Sequence, residues 1–330
     1  MQPCVIKSGF QVLPCSIHSL QRSCPSSPIF RRPFSIVSDP LSLSSDLCTS
    51  KLNTKQLQRK KMNQAAMGEA TSVKDKGKLL VFENEEELMV ALAKYTSELS
   101  EKIVKERGAF TVVLSGGSLI KCLGKLVEPP FFDSVEWARW HIFWVDERVV
   151  PLDHPESNYK LAYDGFLSKV PIPPGHVYAI NDSLSPEDAA DDYETGLKQL
   201  VHSGVVDISA VTSFPNFDLM LLGMGPDGHV ASLFPGHHLI HENQRWVTYI
   251  KDSPKPPPER ITFTFPVINS ASNIALVIVG AGKADMMKRV LCDEQHSDLL
   301  PVQMVSPVHG ELVWFTDKEA SSKLPGSSLL

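Results

Sequence analysis

The chain has 330 residues, of which 42% are hydrophobic and 21% charged. That balance belongs to a globular protein rather than a disordered or fibrous one, and no run of about 18 uncharged apolar residues is present to suggest a membrane span. The formal net charge is −6, which argues against nonspecific nucleic-acid binding.

Residues 1–61 stand apart from the rest. They hold nine Lys or Arg, only two acidic residues (Asp39 and Asp46) and twelve serines. No helical or strand period runs through them. A basic, Ser-rich, acid-poor leader has the composition of an organellar transit peptide. Chloroplast is the expected destination, ahead of mitochondrion, with cytosol as the alternative if the segment is a plain disordered tail. Without the leader the body is more acidic than the whole chain, so an anionic ligand would need a local cluster of cations. Cys4, Cys15, Cys24 and Cys48 lie in the leader, and Cys122 and Cys292 remain far apart in the body. With no C-x-x-C pair, the expectation is a reducing compartment, no disulfide framework and no structural zinc. Cys122 sits on an apolar helical face, a core position.

After a polar linker at 62–77, strands and helices alternate. Leu79–Phe82 reads as a short strand. Asn84–Arg107 reads as a helix, with Leu88, Leu92, Tyr95, Leu99 and Ile103 three or four apart, and Gly108 ends it. Then come a buried strand at Thr111–Leu114, a helix at Ser118–Leu126, a strand at His141–Val145 and a helix at Ser157–Val170 closed by Pro171. A helix at Pro186–Ser203 precedes strands at Phe217–Leu222, Trp246–Ile250 and Ile261–Phe265. The wholly apolar Asn273–Val279 suits the centre of a sheet. A helix at Lys283–Cys292 and a strand at Glu311–Phe315 complete the pattern. This rhythm predicts an α/β fold, Rossmann-like, with a mostly parallel sheet covered by helices on both faces. One domain is expected over residues 78–320, with a flexible tail at 321–330. The Pro-rich Ser253–Arg260 reads as a surface loop.

Ligands of open parallel sheets sit beyond the carboxyl ends of the strands, so the residues there carry the functional expectations. Ser115, Gly116, Gly117 and Ser118 follow one strand and open a helix, a natural phosphate cradle of backbone N–H groups and hydroxyls. The plain alternative is a tight turn with Ser118 as N-cap. Asp146-Glu147-Arg148 follows another strand. Arg148 would grip an anion and Asp146 would contact sugar hydroxyls, or the three charges simply close a strand end. Lys283 follows Gly280-Ala281-Gly282 in a first helical turn, where a bound phosphate would offset the unfavourable helix dipole. The alternative is an exposed lysine.

Gly223, Gly225 and Gly228 spell G-x-G-x-x-G after a strand, the spacing of a dinucleotide turn. Such a turn must lead into a crossover helix of about ten residues, and Pro235-Gly236 stops any helix six residues after His229. Asp227 would also face the pyrophosphate. The better reading is that the glycines hold Asp227 beside His229, the best candidate for acid–base chemistry near neutral pH. Asp227, His229, His237 and His238 match no common zinc spacing. Together the strand ends describe a pocket for a phosphorylated small molecule undergoing proton transfer.

The stretches VVLSGGS (112–118), FWVDERVVPLDHPESNYKLA (143–162), LMLLGMGPDGHVASLFPGH (219–237) and RITFTFPVINSA (260–271) closely resemble the 6-phosphogluconolactonases of plant type, in colinear order from about Leu79 to Lys318. The resemblance implies the sugar-phosphate isomerase/deaminase fold. It implies hydrolysis of 6-phosphoglucono-δ-lactone to 6-phosphogluconate in the oxidative pentose phosphate pathway, with no metal or organic cofactor. By family motif His229 would be the catalytic base and Asp227 its neighbour, while Ser115, Gly116, Gly117, Arg148 and Lys283 would hold the phosphate. Many relatives carry Thr-Pro where Leu119-Ile120 stand here, so one hydroxyl contact is lost. Backbone N–H groups near Gly225 or Gly228 are candidates to stabilise the oxyanion. The alternatives are an amino-sugar phosphate deaminase on the same fold and a noncatalytic sugar-phosphate sensor. Expected partners are a small-molecule substrate, neither nucleic acid nor membrane, and at most weak self-association of a monomer.

Overall fold

The computed structural model of the protein describes residues 69–73, 77–292 and 299–325. The expected leader at 1–61 therefore lies outside the described residues, as does the end of the expected tail at 326–330. The strands are β1 (Glu69–Val73), β2 (Gly77–Phe82), β3 (Phe110–Leu114), β4 (Trp140–Trp144), β5 (Asp146–Arg148), β6 (Asp207–Ile208), β7 (Pro215–Asn216), β8 (Leu219–Leu222), β9 (Val247–Ile250), β10 (Arg260–Phe263), β11 (Asn273–Ile278) and β12 (Glu311–Asp317). The helices used below are α1 (Glu85–Arg107), α2 (Ser118–Cys122), α3 (Asn158–Gly165), α4 (Pro186–His202) and α5 (Ala284–Leu291).

The main sheet runs β1-β2-β12-β11-β8-β3-β4. From β2 to β4 every pairing is parallel, while β1 pairs antiparallel with β2 from Glu69 opposite Val81 to Val73 opposite Gly77. Part of the stretch read as linker is thus an edge strand. Strands β3, β8 and the edge strand β4 are buried throughout, which is why they read as largely apolar runs. Side chains of the sheet alternate between two cores, as the two-residue period requires. Val113, Phe143, Met220, Leu222, Leu276 and Trp314 face one core. Val112, Leu114, Ile142, Trp144, Leu219, Leu221, Val277 and Phe315 face the other.

Helix α1 covers the second core with Leu88, Leu92 and Ile103. Asn84 caps it by accepting from the Glu87 N–H, Glu85–Glu87 load the first turn, and Gly108 at φ 78 closes it with its N–H on the Val104 carbonyl. Helix α4 opens with Ser185 as N-cap and Pro186 at its first position. It covers the first core with Tyr193, Leu197 and Leu200.

Two strands expected in the parallel sheet lie elsewhere. β9 and β10 join β5 in a three-stranded antiparallel sheet, ordered β5-β10-β9. Their connection is the short loop 251–259, which suits antiparallel neighbours, whereas a parallel pair needs a crossover helix. Expected helices also shorten: α2 gives way to a 3-10 turn at Leu123–Val127, and α3 ends at Gly165, followed by a 3-10 turn at Leu167–Lys169. Leu324, in the stretch expected as a tail, packs against the first core. No helix among the described residues is long and apolar enough to cross a membrane.

Candidate active site

A cavity of about 190 Å³ opens at the carboxyl ends of the parallel strands. Ser115, Gly116, Gly117 and Ser118 form one wall, after β3. The Ser115 N–H bonds the Leu221 carbonyl and fixes where the turn leaves the sheet. A Cβ on Gly116 would lie 2.0 Å from Asn158 Oδ1, and Gly117 has φ +71, so both positions call for glycine. Gly117, not Ser118, is the N-cap of α2. Ser118 is therefore the first helical residue, where N–H groups lack intrahelical partners.

Asp146 and Arg148 line the cavity from β5, joined by Arg260 from β10 and by Asn158, which packs against Gly116. Asp146 is buried and accepts from Ser232 Oγ at 2.8 Å. Arg148 Nη1 donates to the Glu156 carbonyl at 2.7 Å, while its buried Nε has no partner among the described residues. Arg148 also lines the cavity, and a guanidinium with an unpaired N–H suits an anion. Glu147 turns inward instead. It accepts the N–H groups of Arg148, Asn158 and Tyr159, each at 2.7 Å, and the Ser157 hydroxyl at 3.3 Å. Burial pushes its carboxyl up to about 7 against the pull of those N–H groups. Glu147 thus builds the turn that presents Asn158, whose Nδ2 donates to the Asp146 carbonyl at 2.9 Å.

Lys283 reaches the cavity from a 3-10 turn, Ala281–Lys283, just before α5. Its Nζ donates to the Met224 carbonyl at 2.6 Å. Burial, with the Lys255 charge nearby, shifts it below the ordinary lysine range. A bound phosphate would oppose that shift.

His229 lines the cavity, and Asp227 lies on the Nδ1 side of its ring, with Oδ1 at 2.5 Å. The glycines explain the arrangement. The Gly225 N–H bonds the His229 carbonyl at 2.8 Å and the Gly228 N–H bonds the Gly225 carbonyl at 3.0 Å, closing a tight loop with Gly228 at φ +83. A Cβ on Gly225 would stand 2.0 Å from the His229 ring. No crossover helix follows; the chain instead makes a bridge between Val230 and Leu233. The same bonds correct one expectation: the N–H groups of Gly225 and Gly228 are committed within the loop and are not free for an oxyanion.

Burial lowers the His229 pKa, opposed by the hydrogen bond and charge of Asp227. For Asp227, burial acts upward, but the hydrogen bonds from His229 and Lys255 hold it down at about 2. The ring is therefore neutral near pH 7. With Nδ1–H donated to a carboxylate, Nε2 carries the free lone pair.

Sequence reasoning missed three residues. Asn158 and Arg260 line the cavity, and Lys255 Nζ stands 3.1 Å from Asp227 Oδ1. Lys255 belongs to the loop read as mere surface. His237, weighed with His229 as a metal ligand, pairs instead with Asp252 at 3.3 Å.

The fold and cavity define a small-molecule enzyme site of α/β type, with a backbone cradle, cations and a paired histidine at strand ends. The chain belongs to the family of glucosamine-6-phosphate isomerases/6-phosphogluconolactonase, whose model matches residues 83–314. It is 69% identical over 247 residues to the probable 6-phosphogluconolactonase 4, chloroplastic, of Oryza sativa subsp. indica, covering 74% of this chain and 76% of the relative. It is 63% identical over 250 residues to the 6-phosphogluconolactonase 3, chloroplastic, of Arabidopsis thaliana, covering 76% of each. Among solved structures, the 6-phosphogluconolactonase of Thermotoga maritima is 30% identical with a TM-score of 0.60, covering 72% of this chain and 98% of that one. The localisation is plastid, the compartment in the names of both plant relatives and the one the leader composition indicates.

Proposed function

We propose that the protein hydrolyses 6-phospho-D-glucono-1,5-lactone to 6-phospho-D-gluconate, with His229 as the general base. The observation that carries this reading is the His229–Asp227 pair, 2.5 Å apart, at a cavity whose other walls hold the Ser115–Ser118 turn, Arg148 and Lys283. Family membership and the names of the plant relatives support the substrate.

The substrate phosphate sits against the turn N–H groups, Arg148 and Lys283, which fixes the lactone ring relative to the histidine. Asp146 and Asn158 offer an acceptor and an amide to the sugar hydroxyls. Nε2 of neutral His229 removes a proton from water as the oxygen attacks the C1 carbonyl. Asp227 holds the ring by Nδ1–H and stabilises the imidazolium that forms. As the tetrahedral intermediate collapses, the bond from C1 to the ring oxygen breaks and the imidazolium returns the proton to that oxygen. The product is the open-chain acid, and His229 ends neutral.

The test is lactone opening by the full chain, with substrate generated in situ and spontaneous opening subtracted. His229→Ala is expected to lose about 10²- to 10⁴-fold in kcat while remaining folded. Full activity in that variant removes His229 as the base. Ammonia release from glucosamine 6-phosphate, with no action on the lactone, reassigns the site to a deaminase.

A further inference from the structure

The loop between β9 and β10 was expected to be plain surface, yet it brings a charge to the far side of the histidine. Lys255 Nζ lies 3.1 Å from Asp227 Oδ1 and 3.2 Å from His229 Nδ1. The placement is built rather than incidental. Arg260, itself buried, ties down three consecutive carbonyls of the loop. Its Nη2 donates to Lys255 O at 2.9 Å and Pro256 O at 3.0 Å, and its Nε donates to Pro257 O at 2.9 Å. Ser253 Oγ adds a bond to the Lys255 carbonyl at 2.9 Å. The Arg260 guanidinium in turn lies over the Phe234 ring, and that ring packs against His229 at 4.7 Å between centroids. Backbone, cation and imidazole form one connected unit.

We propose that Lys255 is a positioning residue that works through Asp227 and His229, fixing the carboxylate on the imidazole and disfavouring the imidazolium. This rests on the reading of His229 as the general base. Two donors, Lys255 Nζ–H and His229 Nδ1–H, converge on one oxygen of Asp227. That geometry favours the ionised carboxylate and, with Nδ1 as the donor, leaves the free lone pair of the ring on Nε2. With its proton on Nδ1, the ring accepts no hydrogen bond from the ammonium 3.2 Å away, and the contact becomes like-charge repulsion when Nε2 takes a second proton. The effect falls on the second half of the reaction. The imidazolium formed after water attack sits between Asp227, which stabilises it, and Lys255, which raises its energy and favours return of the proton to the departing ring oxygen.

The charged groups that bear on His229 are Asp227 and Lys255 at Nδ1 and Asp146 across the cavity. Lys255 acts downward on the ring pKa and both carboxylates act upward. Lys283 lies close enough to interact with Lys255 and Asp227. Removing the Lys255 charge therefore raises the His229 pKa, so the acid limb of kcat/KM moves to higher pH.

The experiment compares the pH profiles of kcat and KM for the full-length wild type, Lys255→Met, Lys255→Arg and His229→Ala. Lys255→Gln serves as a second neutral variant if the Met form fails to fold. The titration of the substrate phosphate is common to all and cancels in the comparison. With the neutral variants, kcat/KM at pH 6 should fall by about tenfold, with a loss under about threefold at pH 8. Lys255→Arg should restore the wild-type limb. NMR titration of the His229 ring should show the same upward displacement in the neutral variants alone. A uniform loss across the pH range, or a rise in KM with an unmoved limb, overturns the proposal and makes Lys255 a substrate or packing contact. Unchanged profiles overturn it as well. If His229→Ala keeps full activity, the general-base reading itself has failed, an outcome distinct from an unmoved acid limb beside an inactive His229→Ala.

Discussion

Gly225 has no room for a side chain. A Cβ there would meet the His229 ring at 2.0 Å and Asp227 Oδ1 at 2.7 Å, closer than nonbonded atoms stand in a packed protein. Gly225→Ala must displace the imidazole, because the loop backbone is pinned by its bonds at Gly225 and Gly228. A misplacement of about 1 Å costs a catalytic group on the order of a hundredfold. The expected result is a drop in kcat of that size with a thermal midpoint close to wild type, read by steady-state kinetics beside a melting curve. Asp227→Asn tests the tautomer. The amide can present N–H to Nδ1 and so leave the wrong ring nitrogen protonated. A loss of about 10⁴-fold is the precedent for such a change in a histidine–aspartate pair. Asp227 is held at about 2 and so stays ionised across the working range, and its charge holds the His229 pKa up; removing it lowers the ring pKa, so the loss should be no larger at pH 6 than at pH 8.

Among the elements, the turn between β5 and α3 hangs on one carboxylate. Glu147 accepts three backbone N–H groups and a hydroxyl while fully enclosed. Glu147→Gln turns one acceptor oxygen into an NH2 facing those donors, leaving at least one buried donor without a partner. The expected cost is about 2 kcal/mol, measured by urea unfolding. A loss of activity should accompany it, since Arg148 and Asn158 are placed by the same turn. This element also marks the boundary of what could be read in advance. Helices α1 and α4 were legible because Asn84, Ser185, Pro186 and Gly108 are caps with a local mechanism. The central strands were legible because burial on both faces leaves largely apolar runs. The partition into two sheets was not, because a four-residue strand such as Val247–Ile250 or Arg260–Phe263 looks alike in a parallel and an antiparallel pairing. At the site, residues directly after strands were visible as candidates. Asn158, Arg260 and Lys255 were not, since their positions depend on contacts among distant segments: Asn158 on Glu147, and Lys255 on the hold of Arg260 over the 255–257 carbonyls.

At the scale of the whole molecule, the site is a seam between two sheets. The parallel sheet contributes the Ser115–Ser118 turn, the His229 loop and Lys283, and the antiparallel sheet contributes Asp146, Arg148 and Arg260. Both must hold for the cavity to persist, so its acid limit follows the global stability of the fold. A pair of histidines at the β4 edge has a defined sign in that stability. His141 is buried, stacks on His176 with centroids 4.0 Å apart, and has Nδ1 3.0 Å from the Tyr178 hydroxyl. Burial, with the His176 and Arg107 charges added, pushes His141 down to about 4. An unfolded histidine titrates near 6.5, so between those values the unfolded chain binds more protons than the folded one. Stability contributed by neutral His141 is therefore full above about pH 6.5 and is lost progressively down to about pH 4. Below that it changes no further, because the folded form is protonated too. The loss expected between pH 7 and pH 4.5 is on the order of 2 kcal/mol. His141→Gln cannot titrate, so its unfolding free energy should fall less over that interval than the wild type's, by about that amount. Urea unfolding of both proteins at the two pH values checks this directly. Equal losses in the two proteins would show that His141 does not carry the acid sensitivity assigned to it.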